Sequence, residues 1–413
     1  MPFLKRVESM RKLNLIIYFF LILFSFGFNA DKKEFRIIKE NGIPVAVNPD
    51  FPVPAKNGPK DIVFKEELIL GSAEGDPNTT FGEFISYTVD DHENIYILDW
   101  RAKTVSKFGP RGDYLLSFGK AGQGPGEFSF PEEIRFLPTG HLIIFEGEGQ
   151  KFSVFNLKGD FVKGGRFFNL MYPTYFGLSN GNFIATQVKY NQQKTVITTG
   201  LFNGKSELLT VLHQREDKLP QPWPRNDPDA RARRLAEIMS RTAFKRTAVV
   251  ALDAKEAIYF AFSDKYEIKM YSSEAKLKRM IRSALPLRPV TKRDQEDFLN
   301  IWVPRDISTW STMNEKMKQK IKNLIRFAAT KPAFLEIIPM DNGFIMVLRD
   351  GEFGHNALIN IFDSQGRFII EKDLPFPIRN GLSKGENLYT VFEDKDGYKF
   401  VKRYRFRFIK DTQ

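Results

Sequence analysis

The chain has 413 residues, 42% hydrophobic and 14% aromatic, so it can build a large buried core and lacks the composition of a disordered protein. It has no cysteine, which excludes disulfides, thiol nucleophiles, iron–sulfur clusters, cysteine-ligated zinc and a lipid-modified N-terminal cysteine. The net charge is +12, and two internal segments carry most of the excess.

The first thirty residues differ from the rest. Lys5, Arg6, Arg11 and Lys12 precede an apolar run from Leu13 to Phe28, the pattern of an export signal. At 1.5 Å per residue this run reaches about 24 Å, short of a hydrocarbon core of roughly 30 Å, which favours a cleaved signal peptide. The cleavage site is poor, because Phe28-Asn29-Ala30 places a bulky residue where a small one is preferred, so an uncleaved N-terminal anchor is the alternative. Residues 31–60 are polar and rich in proline (Pro44, Pro49, Pro52, Pro54, Pro59), and read as a linker between membrane and folded body. The body is then expected outside the cytoplasm: periplasmic, secreted, or held on the outer side of the inner membrane.

From residue 61 a turn followed by a short apolar strand recurs six times. The first apolar residues are Ile95, Leu142, Phe183, Ile258, Phe344 and Leu388, at intervals of 47, 41, 75, 86 and 44. Three intervals match one four-stranded propeller blade. Most copies are followed by another strand, a glycine turn and a last strand, as in Thr104 to Phe108, Gly112, then Tyr114 to Phe118. The sixth copy lacks its last strand, since Lys399 to Ile409 is followed by only four residues. Ile62 to Leu70 has the composition to supply it. The sequence therefore predicts an all-β, six-bladed β-propeller over 61–410, closed by an N-terminal strand that covers an otherwise open sheet edge.

The phrase Gly122-Gln123-Gly124-Pro125-Gly126-Glu127-Phe128, followed by Pro131, resembles the inter-blade phrase of NHL-repeat propellers, and Gly71 to Phe84 is a partial second copy. The wider likeness is to bacterial exported six-bladed propeller proteins, most of which have no assigned activity. Read physically, the glycines allow a tight connection, Phe128 can wedge between blades, and Pro131 can start an innermost strand without losing a ladder donor.

The two long intervals contain helical patterns. Asp227-Pro228 is an N-cap with proline at the first helical position, and Ala232, Leu235, Ala236, Met239 and Ala243 then share one face. Thr312 and Glu315 have capping-box spacing, with Met313, Met317, Ile321, Leu324 and Ala328 as a stripe. Insertions at about 214–245 and 286–331 are thus expected on one face of the ring, and they hold eight of the twelve net positive charges. Such a basic cap suits an anionic glycan, a lipid headgroup or an acidic partner, although lysines such as Lys316, Lys318, Lys320 and Lys322 also make an ordinary solvated helix face.

Links from an outer strand to the next inner strand share a face with the loops joining second and third strands. That face is expected to carry the ligand site. The candidate binding residues are Asp99, Trp100, Arg101, Glu146, Tyr190, Lys265, Arg349, Asp350 and His355, with Glu148, Lys189, Asp264 and Glu393 to Asp396 beside them. No histidine pair has metal-ligand spacing, and no phosphate-cradling loop or nucleophile elbow is present. Glu393 to Gly397 and Arg111-Gly112-Asp113 read as hairpin turns rather than as a calcium loop or an adhesion motif. The expectation is a non-catalytic, cofactor-free binding propeller of the cell envelope, whose partner is a glycan, peptide or envelope protein and not nucleic acid. The alternative is a hydrolase or lyase with a divalent metal in the central funnel, for which Asp99, Glu146, Asp350 and His355 are the first candidates.

Overall fold

The computed structural model describes residues 34–410 except 73–78, 83, 148–150, 167–175, 220–223, 225–226, 352–354 and 395. The proposed signal segment lies outside the described residues, among which no helix is long and apolar enough to cross a membrane.

Six sheets, each built on four antiparallel strands, form a six-bladed propeller. From the inner strand outward, blade one comprises Ile85–Val89, Ile95–Asp99, Thr104–Phe108 and Tyr114–Phe118. Blade two comprises Pro131–Leu137, His141–Glu146, Lys151–Phe155 and Phe161–Arg166, and blade three Phe176–Gly177, Phe183–Tyr190, Lys194–Phe202 and Leu208–Lys218. Blade four comprises Ala248–Leu252, Ile258–Phe262, Glu267–Tyr271 and Leu277–Ser283, and blade five Glu336–Pro339, Ile345–Asp350, Leu358–Phe362 and Phe368–Asp373. Blade six has only three strands from the C-terminal end of the chain, Leu382–Lys384, Asn387–Glu393 and Lys399–Ile409. Each recurring apolar phrase is the second strand of a blade, where both faces press on neighbouring sheets; in blade one all five residues from Ile95 to Asp99 are buried. This double burial is why those strands read as continuous apolar runs.

Asp61–Leu70 completes blade six, antiparallel to Lys399–Ile409 from Asp61↔Ile409 to Leu70↔Val401, with Ile62 fully buried. The inter-blade phrase also folds as read: Phe128 is fully buried between Tyr96, Leu98 and Val105 of blade one and Ile134, Leu142 and Phe155 of blade two. Gly119 lies at φ +83°, and a Cβ there would stand 2.2 Å from the Phe128 ring. In the partial copy Phe81, not Phe84, is the buried wedge, packing edge-on to Phe108 at 6.1 Å.

The expected linker is the main correction. Its residues from Arg36 on are built into the ring. Arg36–Glu40 (β1) and Ile43–Asn48 (β2) form a hairpin, and β2 adds in parallel to the outer strand of blade four, with Val45 and Ala46 buried. The turn is Asn41-Gly42, both at positive φ, a strong hairpin signal. The strap then crosses to blade five, and the Asn48 side chain bridges the two blades, donating to Arg282 O of blade four (3.1 Å) and Gly366 O of blade five (2.9 Å) and accepting from Phe368 N (2.7 Å). Val53 N donates to Phe368 O, and Lys60 N to Ile409 O of blade six. Alternating prolines are compatible with this extended path because it needs few ladder donors.

Both insertions are helical and share one hydrophobic cluster. Helix α1 spans Pro228–Thr242, capped by Asp227, whose side chain accepts from Asp229 N and Ala230 N. Its predicted face, Ala232, Leu235, Ala236, Met239 and Ala243, packs against Phe298, Val303, Ile307, Ile321 and Ile325 of the second insertion. That insertion contains α2 (Lys292–Asp297), a π-helical turn (Phe298–Trp302), α3 (Val303–Asp306) and α4 (Glu315–Leu324). The cap of α4 is Asn314 rather than Thr312, and the helix ends at Leu324, short of Ala328. Residues 214–218 belong to the outer strand of blade three, so the first insertion starts later than expected.

Removing the Asn48 amide breaks three hydrogen bonds and leaves buried backbone groups unpaired. Asn48→Ala should therefore lower unfolding stability by about 2–4 kcal/mol, read as a reduced urea midpoint with little change in slope.

Candidate functional site

Arg349, Asp350, His355 and Glu393 belong to one local system, and Asp99, Trp100, Arg101 and Glu146 to another, both on the face carrying the insertions. The first anchors the helical cap. Lys331 is 8% exposed and reaches Asp294 at 2.6 Å and Asp350 at 2.9 Å. Arg288 adds a second cation to Asp350 at 3.1 Å. Burial raises the Asp294 carboxyl, but Lys331 and the Thr291 hydroxyl and N–H outweigh it and hold the group below its ordinary value. His355 pairs with Asp297 of α2 at 2.7 Å. Arg349 is buried and bonds Glu371 and the Pro286 carbonyl. Arg305 of α3 pairs with Glu393, which also takes Lys399 and Arg379. Arg349, Asp350, His355 and Glu393 thus fasten the cap to blades five and six.

The cap's basic excess is largely committed in the same way. Lys320 pairs with Asp229 of α1, Lys318 with Glu315, and Lys318 and Lys322 both approach the Trp310 ring. These partners account for three of the four lysines that the sequence presents as one basic row.

The second system is a repeated turn frame in blades one and two. The Asp99 carboxylate accepts Gly82 N, Arg101 N and Ala102 N, and Glu146 accepts Ser129 N while pairing with Lys151. In the same frame Trp100 N donates to Phe84 O, and Gly147 N to Phe130 O. Phe84 and Phe130 are therefore equivalent residues, each just before an inner strand, and they are 60% and 59% exposed. Blade four makes the corresponding bond from Ser263 N to Thr247 O, so the frame itself does not require an aromatic side chain.

Trp100, 39% exposed, meets the Phe84 ring edge-on at 6.0 Å, and Lys103 from the same turn lies 5.4 Å from the Phe130 ring centre. Phe130 borders a cleft of about 580 Å³ walled by Gln123, Gly124, Glu146, Lys151, Phe161 and Arg166, among others. Tyr190 stands exposed at the end of a blade-three strand, and Lys265 pairs with Glu267 at 3.2 Å. Neither touches the other candidates among the described contacts. Glu148 lies outside the described residues. Asp394 accepts Asp396 N and Tyr398 N, and Gly112 N donates to Gly109 O, so both motif-like segments are hairpin turns.

The inner strands enclose a second cavity, axial to the ring and about 570 Å³ in volume, with wall residues from all six blades. Among the described residues, no group of three or more His, Asp or Glu side chains is placed to hold a metal ion. The residues named for a metal centre, Asp99, Glu146, Asp350 and His355, serve the two systems above.

No protein-family model and no curated protein matches the chain. Solved structures that it resembles include a chain from Bacteroides fragilis designated as an exported protein, at 9% identity over 89% of this chain and 100% of that one, TM-score 0.49. Others are a member of the DUF4221 family from Bacteroides vulgatus (7% identity, 85% and 100% covered, TM-score 0.44) and virginiamycin B lyase from Staphylococcus aureus (10%, 84% and 99%, TM-score 0.40). Likenesses this distant carry no argument about activity.

Two outcomes test the roles assigned here. Lys331→Met leaves Asp294 and Asp350 as buried carboxylates without their shared ammonium, and should cost about 3–5 kcal/mol, with protease cleavage appearing first in the cap. His213 stacks on Phe262 at 4.5 Å, and burial, then Arg215, depresses its imidazole below the ordinary value. The unfolded chain then binds the extra proton first, so stability should be full above about pH 6.5 and fall as the pH drops below it. His213→Phe should flatten that part of the pH–stability curve.

Proposed function

We propose that this protein is an exported, ligand-binding propeller of the cell envelope, and that its site is the aromatic platform of Phe84, Trp100 and Phe130 with the adjoining cleft. The observation that carries this reading is the exposure of Phe84 and Phe130 in a backbone frame that elsewhere holds Thr247. An exposed aromatic residue repeated in two adjacent blades is costly to solubility and adds nothing to the frame, so it points to a partner. The export reading rests on the basic and apolar pattern of residues 5–28.

The partner class that fits is a carbohydrate. Ring faces suit the apolar face of a sugar, and the neighbouring wall offers Lys103, Lys151, Arg166 and Gln123 as donors to hydroxyl or acidic groups. A catalytic reading gains no support from this site, where Glu146 is paired with Lys151 and Asp99 with three backbone N–H groups.

A glycan array probed with the purified full chain, followed by titration of the retained oligosaccharide, tests the proposal. Trp100→Ala and Phe130→Ala should each weaken binding by about tenfold; Phe130→Ala should leave the melting temperature unchanged, since that ring is 59% exposed, whereas Trp100→Ala, whose ring is 39% exposed and packs on Phe84, should lower it slightly. Retention of full affinity by the double variant, or no oligosaccharide retained, rejects it.

A further inference from the structure

The axial cavity is a separate feature from the platform, and its wall is divided. On the side of blades three and four it is apolar, formed by Phe176 and Val249 to Leu252. The remaining wall includes the carboxylates of Glu133 and Glu336 and one guanidinium, that of Arg135. Arg135 is already engaged: it pairs with Glu133, and its guanidinium lies 4.4 Å from the centre of the Phe176 ring.

Glu336 is differently placed. Its two oxygens accept Asn380 N and Gly381 N, each at 2.9 Å, so the carboxylate is fixed in position while each oxygen keeps a further lone pair. Among the described residues, no cationic side chain stands within ion-pair distance of it. Burial pushes its carboxyl above the ordinary value, with the two N–H bonds and Arg135 opposing the shift. Glu133 Oε2 and Ser383 Oγ, both in the same wall, are shielded from solvent and have no hydrogen-bond partner among the described residues.

These observations describe a site missing a cation. A partly buried carboxylate with no ion-pair partner among the described residues is costly, and a ligand that supplies the charge recovers part of that cost on binding. The unpaired oxygens accept N–H donors, and the apolar wall opposite takes a hydrocarbon body. A cavity of about 570 Å³ is within the range of small-ligand pockets. We infer that the axial cavity binds a small primary amine in its ammonium form, with Glu336 as the counter-charge and the blade-four strand Ala248–Leu252 as the apolar wall. This site is independent of the carbohydrate reading and stands or falls separately.

The test uses the full chain at pH 7 and three probes of one shape: benzylamine, benzyl alcohol and benzoate, titrated by calorimetry. Benzylamine should bind saturably with one site per chain, and the alcohol and the acid should each be weaker by roughly tenfold or more. Glu336→Gln should weaken benzylamine by a similar factor, whereas Trp100→Ala should leave it unchanged. Equal affinity for benzyl alcohol, preference for benzoate, or no benzylamine binding up to about 10 mM overturns the inference, as does an unchanged affinity in folded Glu336→Gln. If that variant does not fold, the three-probe comparison on the unaltered chain decides alone.

Discussion

The architecture depends on a single pairing, that of Asp61–Leu70 with Lys399–Ile409. A propeller blade needs four strands to bury its inner faces, and blade six has three from the C-terminal end of the chain. Without the fourth, the strand Lys399–Ile409 would present a long unpaired edge. The N-terminal chain does more than supply that strand. It passes first along blade four and then across blade five, so three successive blades are tied by backbone hydrogen bonds of one segment. Through that strap the ring holds blades four to six in fixed relation, and ion pairs fasten the cap to blades five and six.

Much of this was legible in the sequence, because a buried second strand leaves an apolar phrase that recurs at blade spacing. Closure was legible for a related reason: a blade one strand short implies a donor. The strap was not, although its Asn41-Gly42 turn and the apolar residues Val45 and Ala46 were in view, since proline and charge dominate the composition of 31–60. Composition averages over a segment, while a parallel edge addition needs only a few residues in register. The cap of α4 was misplaced for a smaller reason: Thr312 and Asn314 are both good caps, and tertiary packing chose the second.

The proposed platform lies on the face that the sequence singled out, but of its three aromatic residues only Trp100 was named there. Charged residues in loops drew attention, and the structure shows most of them occupied: Asp99 and Glu146 order turns, and Asp350, His355 and Glu393 hold the cap. Phe84 and Phe130 were passed over because in sequence a phenylalanine beside a strand reads as core. Only the register, in which Phe84 and Phe130 carbonyls accept equivalent N–H groups, reveals them as one repeated exposed position. The usable signal would have been the recurrence of an aromatic residue immediately before two inner strands.

The closing pair joins strands separated by more than three hundred residues of sequence. Loop closure on that scale is entropically slow, and it cannot begin until the final strand has been made. During synthesis the chain therefore exists as an open arc with two unprotected sheet edges, prone to pairing with other chains. Its early hairpin offers partial shelter once blade four is formed, which gives the amino-terminal stretch a role in the chain's assembly as well as in its finished form.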